Sequence, residues 1–366
     1  MRIHARTTAL AAAAVTAALV LGACGASAGA GGDGSGGKDN FTVGVLLPAG
    51  GFGRFGNFDQ PLLEQGIKQQ CPDCRIKIAL AKDDPATQQQ QFDAMITGGV
   101  RVVILTAVDA HSVRSSVIQA HRAGIPVVAY DRLADGPISG YVSYDGIQVG
   151  RLQGEALLKA MADRGRGNHI VMMNGSTTDP NARDYKRGAL SVLKGKAKIG
   201  RSYNTVDWQQ SNAYDNMTSA IAALGPNGID GVLSANDNLA TGIIKALKAA
   251  RISPLPPITG QDADLPGVQR LVTGEQLMTV YKSFKLESRT AVDMAVALGR
   301  GQSLDKIART TVDNSTDKNI PAVLLSPVSV TAGTIKNTLV KDGVYTVEQI
   351  CAPNLWAACA KVGLTR

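Results

Sequence analysis

The chain has 366 residues, of which 44% are hydrophobic and 19% charged, and its mean hydropathy is +0.00. These proportions describe a folded globular protein and exclude bulk disorder, while the length favours two lobes over one core. The net charge of +8 is spread over single Lys and Arg residues, and aromatic residues make up 4%, so nucleic-acid binding is not indicated. A core of Ala, Val, Ile and Leu favours alternating strands and helices over a β-sandwich.

The N-terminus has the pattern of an export signal. Arg2 and Arg6 give it a basic start, and the apolar run 10–21 is too short to span a bilayer, which needs roughly 20 residues. The run ends at Leu-Gly-Ala-Cys24, which resembles a bacterial lipobox, so we expect residues 1–23 to be a lipoprotein signal peptide and Cys24 to carry lipid. An ordinary signal peptide followed by a buried cysteine is the alternative.

A stretch rich in Gly, Ser and Ala follows at residues 24–40. It has no apolar face and predicts a flexible tether. A lipid on such a tether would hold the folded body extracytoplasmically, at the outer face of the cell membrane.

If the protein is exported, its cysteines are expected to form disulfides, because disulfides form in oxidising compartments. There are five cysteines, and with Cys24 lipidated the remaining four allow three pairings. Sequence proximity favours Cys71–Cys74 and Cys351–Cys359. Cys71 and Cys74 also match a redox C-x-x-C motif, but that motif places its first cysteine at a helix N-terminus, whereas here it follows a helix-like segment. A structural disulfide is therefore favoured over free thiols and over redox catalysis.

Apolar strands alternate with amphipathic helices from residue 41 to residue 298. Strands are predicted at 41–47, 75–80, 102–106, 126–130, 141–143, 169–173, 199–204, 231–234, 257–260 and 278–281. Helices are predicted at 58–70, 85–97, 110–123, 148–162, 184–193, 211–224, 240–250, 266–273 and 286–298. Continuous apolar strands between helices indicate parallel sheets covered on both faces, and the rhythm restarts once. We therefore predict an α/β fold with two doubly wound lobes.

Polar side chains follow these strands, at the sheet edge where doubly wound folds bind ligands. Carboxylates, amides and cationic groups match the donors and acceptors of a neutral polyol, and Phe52, Phe55 and Trp208 lie near enough to cover its C–H faces. The polar residues are Arg54, Asp83, Asp84, Asp131, Arg132, Asn174, Asn181, Asn236, Asp237, Gln261, Asp262 and Lys282. Each residue also suits a helix N-cap or a loop. The interpretation as a ligand site therefore rests on the repetition of such residues in both halves of the chain.

Five short motifs resemble, in their order and spacing, those of a known protein family. They are AYDR (129–132), YVSYD (141–145), SAND (234–237), GQDAD (260–264) and MTVYK (278–282). In order and spacing they resemble the xylose-binding proteins, which are type I periplasmic binding proteins of ABC sugar importers. The resemblance extends from about Phe41 to Ile350, and ITGQDADLPGVQRLVTGEQLMTVYK (258–282) is its most specific part.

This resemblance implies two Rossmann-like lobes joined by a three-strand hinge. The N-terminal lobe would comprise residues 41–144 and 283–322, and the C-terminal lobe residues 145–282 and 323–366. The chain would cross between them near Ser143–Asp145, Lys282–Ser283 and Pro321–Ser326. The tail after Ile350 lies outside the common core and is expected to cover the second lobe.

The resemblance also implies which residues bind a monosaccharide between the lobes. They are Arg54, Phe55, Asp131, Arg132, Asn181, Trp208, Asn236, Asp262 and Lys282. The aromatic rings would stack on the sugar, and the others would hydrogen-bond its hydroxyls. D-xylose is the first expectation. Glucose, galactose and arabinose are alternatives, because multiple-sugar binders share these motifs and the first loop, 48–53, is rich in glycine where relatives carry polar side chains.

The expected function is transport without catalysis, cofactor or metal. A monomeric lipoprotein would close on the sugar by hinge bending and deliver it to an ABC permease in the membrane. A sugar-sensing lipoprotein that reports to a membrane receptor is the alternative, and its partner would distinguish it. A transcriptional regulator of this fold would need an N-terminal helix-turn-helix, where this chain has a leader and a tether.

Two enzyme classes are disfavoured. Gly51–Gly56 matches the G-x-G-x-x-G fingerprint of NAD-dependent dehydrogenases, but it starts four residues past the strand end, and Arg54 and Phe55 crowd the backbone that would approach a pyrophosphate. No H-E-x-x-H or Walker A sequence is present, and the G-x-S-x-G match at residues 25–29 lies in the predicted tether and not at a strand-to-helix turn, so no hydrolase is indicated. The four histidines are His4, His111, His121 and His169. We interpret His111 and His121 as part of a surface helix, not as metal ligands.

Overall fold

The computed structural model describes residues 40–48, 54–165 and 167–365, and these form twelve strands and eleven α-helices. The strands are β1 (Thr42–Leu47), β2 (Arg75–Leu80), β3 (Val102–Leu105), β4 (Val127–Tyr130), β5 (Gly140–Tyr144), β6 (His169–Asn174), β7 (Lys198–Asn204), β8 (Gly231–Ser234), β9 (Thr279–Tyr281), β10 (Thr310–Val312), β11 (Ile320–Leu325) and β12 (Val328–Val330). The helices are α1 (Gln60–Gln70), α2 (Pro85–Thr97), α3 (Arg114–Arg122), α4 (Gly146–Asp163), α5 (Pro180–Leu193), α6 (Gln210–Leu224), α7 (Asp237–Ala249), α8 (Leu265–Thr273), α9 (Phe284–Gly299), α10 (Val347–Ile350) and α11 (Trp356–Lys361).

The first lobe is a seven-stranded sheet in the order β10-β11-β5-β4-β3-β1-β2, in which β10 alone is antiparallel. Strands β3 and β4 are buried at every position, as expected for apolar strands covered on both faces. On one face, Leu63 of α1 and Val292 of α9 belong to the core that covers the sheet. On the other face, Phe92 of α2 and Val117 of α3 do the same.

The second lobe contains the parallel order β7-β6-β8 and the antiparallel pair β9-β12. The strand expected at 257–260 lies between these two groups but forms one isolated bridge, from Val232 to Ile258, so that prediction is wrong as a strand. Hydrogen bonds still connect the layer, because Thr259 N donates to Val232 O over 3.1 Å and Val280 N donates to Gly260 O over 3.1 Å. Pro257 has no N–H to donate, which limits a regular ladder here.

Helices cover both faces of this second sheet as well. Helices α4 and α5 pack on one face through Leu157 and Leu193, and α6 and α7 pack on the other through Met217 and Ile243. The close contact of α4 with α5 depends on Gly188, because a Cβ there would collide with the backbone carbonyl of Ile147. This packing fixes α5, which carries residues of the site described below.

The chain passes between the lobes after β5, after β9 and after β11. The crossings touch, since Asp145 N donates to Leu325 O over 2.9 Å and the Tyr144 hydroxyl donates to Ser283 O over 3.0 Å. The α/β prediction with two doubly wound lobes is therefore confirmed. The lobe boundaries stay a prediction, and the expected boundary at residue 322 does not match the sheet, because β11 continues to Leu325 opposite Tyr144.

The C-terminal segment packs on α8 of the second lobe, with Ile335, Leu339 and Ile350 in a core that includes Leu271. In this segment the structure has a disulfide between Cys351 and Cys359, whose Cα atoms lie 6.0 Å apart. A second disulfide joins Cys71 to Cys74 between α1 and β2, with a Cα separation of 5.2 Å.

Several helix starts differ from the expectation because side-chain hydrogen bonds form a turn before the helix or cap its first turn. The helix expected at 110–123 begins at Arg114, since the Asp109 carboxylate accepts from the backbone N–H groups of His111 and Ser112 at 2.8 and 2.9 Å and forms a turn instead. Helices α5 and α7 begin earlier than expected, because Asp179 and Asn236 are their N-caps.

Some predictions fall outside the described residues: the signal peptide, the tether with Cys24, and the part of the first loop that contains Gly51, Phe52 and Gly53. Among the helices that are described, none combines the length and the apolarity needed to cross a membrane.

Candidate functional site

Residues from loops of both lobes line one cavity of about 670 Å³. All nine residues expected to bind sugar are in its lining, and the structure therefore brings them together. They are Arg54, Phe55, Asp131, Arg132, Asn181, Trp208, Asn236, Asp262 and Lys282. Eight of them follow a strand whose carboxyl end meets this cleft, and Asp262 follows the bridged segment 257–260.

Arg54 lies between carboxylates and aromatic rings. Its Nη1 atom is 2.6 Å from Asp131 Oδ2, and its Nε atom is 3.1 Å from Asp59 Oδ2. The guanidinium carbon lies 5.3 Å from the centre of the Phe55 ring and 5.0 Å from that of Phe284. Burial alone would lower the pKa of Arg54, but the Asp131, Asp59 and Glu287 carboxylates raise it well above its ordinary value. Arg54 is thus a fixed, permanently charged donor.

Lys282 connects the two lobes by contacting an aspartate from each. Its Nζ atom lies 3.3 Å from Asp131 Oδ2 in the first lobe and 3.2 Å from Asp262 Oδ1 in the second. It also donates to the Tyr185 hydroxyl over 3.3 Å. Burial would lower the pKa of Lys282, but the Asp131 and Asp262 carboxylates raise it well above its ordinary value. This ammonium group follows β9 directly and so lies beside a hinge crossing.

Asp131 accepts hydrogen bonds from three directions. Besides Arg54 and Lys282, the Asn181 side-chain amide donates to its Oδ1 atom over 3.0 Å. Burial would raise the pKa of Asp131, but Arg54, Lys282 and Arg132 together lower it below its ordinary value. The backbone of Asp131 has a φ of +63°, in the left-handed region, and this conformation is found where β4 ends.

A second group is built around Asp179. Its Oδ2 atom lies 2.9 Å from Nε of Arg132 and accepts from the indole N–H of Trp208 over 3.2 Å. The Trp208 ring meets Tyr185 edge to face, with ring centres 6.5 Å apart. Gly175 makes room for the indole, because a Cβ at that position would overlap the Trp208 ring. Trp208 therefore has a defined orientation in the cavity wall.

Asn236 and Asp262 line the cavity from the second lobe. Asn236 caps α7, since its Oδ1 atom accepts from Leu239 N over 2.9 Å. The same residue also lines the cavity. Asp262 has a φ of +86°, and its neighbour Gln261 donates to its carboxylate. Arg54 Nη1 lies 3.7 Å from Asp262 Oδ1, a contact between the lobes.

Two buried carboxyl groups behind the cavity wall were not predicted from the sequence. Asp59 accepts a hydrogen bond from the Tyr130 hydroxyl, and burial raises its pKa although Arg54 acts in the opposite direction. Glu287 Oε2 lies 2.6 Å from Arg54 Nη2, while its Oε1 atom has no hydrogen-bond partner among the described residues. Burial raises the pKa of Glu287 to about 8; the Arg54 cation acts in the opposite direction, and the Asp131 carboxylate adds to the increase.

Other lining residues were also missed. They are Asn57, Phe58, Asp179, Tyr185, Asn238, Asp264, Leu265, Pro266, Phe284, Val344, Tyr345 and Gln349. A sequence signal existed for Asp179, which precedes a proline at a helix start, and for Glu287, which lies three residues after Phe284 on the buried face of α9. No local signal places Val344, Tyr345 or Gln349, because their segment reaches the cavity through tertiary packing.

This lining offers hydrogen-bond donors and acceptors in near balance, together with aromatic faces. The cations are paired with carboxylates, so an uncharged ligand with many hydroxyl groups matches it better than an ion does. Within the described ranges, no group of three or more His, Cys, Asp or Glu side chains is arranged to hold a metal ion. His111 is exposed at the surface, where it pairs with Asp135.

Comparison with known proteins supports this interpretation. A family model described as a periplasmic binding protein domain matches residues 43–303. The D-xylose-binding periplasmic protein of Escherichia coli (strain K12) is 37% identical over 282 residues, which are 75% of this chain and 83% of that protein. The multiple sugar-binding periplasmic protein SbpA of Azospirillum brasilense is 33% identical over 333 residues, or 85% of this chain and 92% of that protein.

A solved structure agrees with the fold. An ABC transporter solute-binding protein from Clostridium phytofermentans, with bound β-D-glucose, superposes with a TM-score of 0.76 at 28% identity and covers 84% of this chain and 99% of its own. These relatives are solute-binding proteins and not enzymes. The chain belongs to the periplasmic binding protein family of type I fold that includes these sugar-binding relatives.

Proposed function

We propose that this protein is an extracytoplasmic, lipid-anchored solute-binding protein that captures one neutral monosaccharide, with D-xylose as the first candidate, and delivers it to an ABC permease. The observation that carries the proposal is the convergence of nine predicted residues, from both lobes and a hinge crossing, on one cavity. The 37% identity to a D-xylose-binding periplasmic protein supports xylose, and the 33% identity to a multiple sugar-binding protein keeps other monosaccharides as alternatives.

The chemistry of binding follows from the paired charges. Asp131 and Asp262 would accept hydrogen bonds from sugar hydroxyls, and Arg54, Arg132 and Lys282 would donate to them. Because every charge already has a partner, a neutral ligand enters without leaving an unpaired ion behind. Trp208 and Phe55 would cover the C–H faces of the ring.

Closure is favoured when one ligand contacts both lobes. Lys282 sits beside a hinge crossing and contacts Asp131 and Asp262 on opposite sides, so a hydroxyl bound among these groups would couple binding to the closed state. A pentose has about ten heavy atoms, and micromolar affinity then requires about 0.8 kcal/mol per atom, which is within the range of small enclosed ligands.

A thermal-shift and calorimetric screen of pentoses and hexoses tests the proposal. A ligand at a hundredfold excess over its Kd adds about 2.7 kcal/mol of stability, so the true ligand will raise the melting temperature clearly. We expect D-xylose to give the largest shift. Binding of no monosaccharide, or turnover of the bound sugar, would contradict the proposal.

Uptake of labelled sugar by cells with and without this protein tests the transport role. Transport predicts that uptake is lost with the protein. Unchanged uptake combined with a lost sugar-induced response would instead indicate the sensing lipoprotein.

A further inference from the structure

The cavity is larger than one monosaccharide requires. Its volume of about 670 Å³ is in the range of sites that bind drug-sized ligands, whereas a pentose has about ten heavy atoms. The inner part, around Lys282 and Asp131, is nearly closed to solvent, because these residues are 2% and 4% exposed. The rest of the lining leads outward to solvent.

We define the mouth of the cavity by six lining residues, of which four are exposed and two half-buried. They are Asn57, Asn238, Leu265, Pro266, Val344 and Gln349. Three carry side-chain amides, each from a different part of the fold: the turn before α1 in the first lobe, α7 in the second lobe, and α10 in the C-terminal segment. The other three present apolar surface.

This composition is the chemistry of a second sugar ring. An amide has two N–H donors and an oxygen acceptor, which match a hydroxyl, and apolar side chains cover C–H patches. One donor of Asn238 is used on Trp208 O over 2.8 Å and the Gln349 oxygen accepts from Thr346 N over 2.8 Å, so a hydroxyl would pair with the Asn238 oxygen and with the Gln349 N–H groups. None of the six residues is charged. Asp264 also lines the cavity, but its Oδ1 atom already accepts from Gly267 N over 2.6 Å as the N-cap of α8.

An aromatic base connects the mouth to the inner part. Phe58 stacks on Phe284 with ring centres 4.8 Å apart, and Tyr345 meets Phe58 edge to face at 5.8 Å. The same Phe284 ring lies 5.0 Å from the guanidinium carbon of Arg54, so these aromatic rings extend from the mouth to the charged inner part.

The C-terminal wall of the mouth is held in place by bonds to the second lobe. The Tyr345 hydroxyl donates to Ala263 O over 3.1 Å, and the Gln269 amide donates to the backbone carbonyl of Gln349 over 3.3 Å. The mouth is therefore a built surface, with one side from the first lobe and the other from the second lobe and its tail.

We propose that the mouth is a second sugar subsite and that the cavity accommodates a neutral disaccharide, with one ring among Arg54, Asp131 and Lys282 and the other between the amides and apolar side chains of the mouth. This inference rests on the proposed function, because the inner ring occupies the monosaccharide site.

Isothermal calorimetry with matched sugar pairs, D-xylose with β-1,4-xylobiose and D-glucose with cellobiose, tests it on the full-length protein. We expect the disaccharide of the preferred pair to bind at least as tightly as its monosaccharide. Leu265→Ala removes apolar surface from the mouth and should weaken disaccharide binding about tenfold while changing monosaccharide binding less than twofold. Leu286→Ala, at a leucine that is 48% exposed and outside the lining, is the matched control and should change neither.

A second variant controls for a loosened C-terminal segment in Leu265→Ala. Gln349→Glu keeps the side-chain oxygen that accepts from Thr346 N but removes the amide donor, and it should also weaken the disaccharide selectively. The inference is wrong if monosaccharides bind and disaccharides do not, or if both variants weaken the two ligands equally; the proposed function survives either result. If no sugar binds, both are wrong.

Discussion

Arg54 Nη2 donates a hydrogen bond to Glu287 Oε2 over 2.6 Å, and the Glu287 side chain has no exposed surface. Arg54 comes from the loop after β1 and Glu287 from α9, so two distant parts of the first lobe fix one cation. Asp59 and Asp131 hold the same guanidinium from other sides. Arg54 is therefore oriented by the protein before a ligand arrives, which reduces the entropy lost on binding.

Replacement of Glu287 by Gln should flatten the pH dependence of stability. Burial raises the pKa of Glu287 to about 8, above its value of about 4.3 in an unfolded chain. Between these values the folded state holds a proton that the unfolded state has lost, so the free energy of unfolding falls as pH rises, by up to about 1.4 kcal/mol per pH unit. Melting temperatures from pH 5 to pH 9 should decline more steeply for the wild type than for Glu287→Gln.

The difference between wild type and Glu287→Gln isolates the contribution of the Glu287 carboxyl to the pH dependence. Burial raises the pKa of Asp59 and of Asp179 as well, and those contributions have the same sign but are shared by both proteins. Parallel curves for wild type and variant would show that Glu287 does not hold this proton.

Asp262→Asn should reduce sugar affinity by about 1–3 kcal/mol, because it removes a charged acceptor from the second lobe and leaves a ligand hydroxyl poorly paired. Asn is chosen because the φ of +86° at this position is tolerated better by Asn than by Ala. Calorimetry measures the change. Asp163→Asn, at an exposed aspartate of α4 outside the cavity lining, is the control, and equal affinity losses in both variants would show that Asp262 does not bind the sugar.

Trp208 should report ligand binding by fluorescence. The chain has two tryptophans, and Trp208 lines the cavity whereas Trp356 lies in α11 outside the lining. Trp208→Phe should abolish the sugar-dependent emission change and weaken binding, since it also removes the hydrogen bond to Asp179. Trp356→Phe should retain the full change. A persistent signal in Trp208→Phe would mean that its ring does not contact the sugar.

Loss of the Cys351–Cys359 disulfide should lower stability. The bond closes a loop with a sequence separation of 8, for which chain entropy gives about 2–3 kcal/mol. The double variant Cys351→Ser, Cys359→Ser should therefore melt at a lower temperature, as measured by calorimetry. The corresponding change at Cys71 and Cys74, with a separation of 3, should cost less because the loop is shorter. The reverse order would show that packing, and not loop closure, dominates.

The succession of elements could be predicted from the sequence, because hydrophobic periodicity and turn residues act over a few neighbours. β2, β8 and α2 have the predicted bounds, and the other predicted elements that form differ by one to a few residues. The five strands and helices after residue 300 were not predicted. The predicted strand at 257–260 is wrong, because it begins at the second of two prolines and its pairing depends on partners that are distant in sequence. The nine predicted site residues share the cavity because the loops after strands are local features, and the sheets of the two lobes bring those loops to one cleft.

The sequence by itself determined the α/β class, the two-lobe organisation and the polar loops, since each rests on local chemistry that repeats along the chain. Only the tertiary structure decided which charges are paired. Glu287 looks like one acidic residue on an amphipathic helix until α9 packs beside Arg54 and removes its carboxyl from water. The tertiary structure also placed Tyr345 and Gln349 in the cavity wall, because contacts between segments almost 300 residues apart, such as that of Tyr345 with Phe58, depend on how the lobes and tail pack.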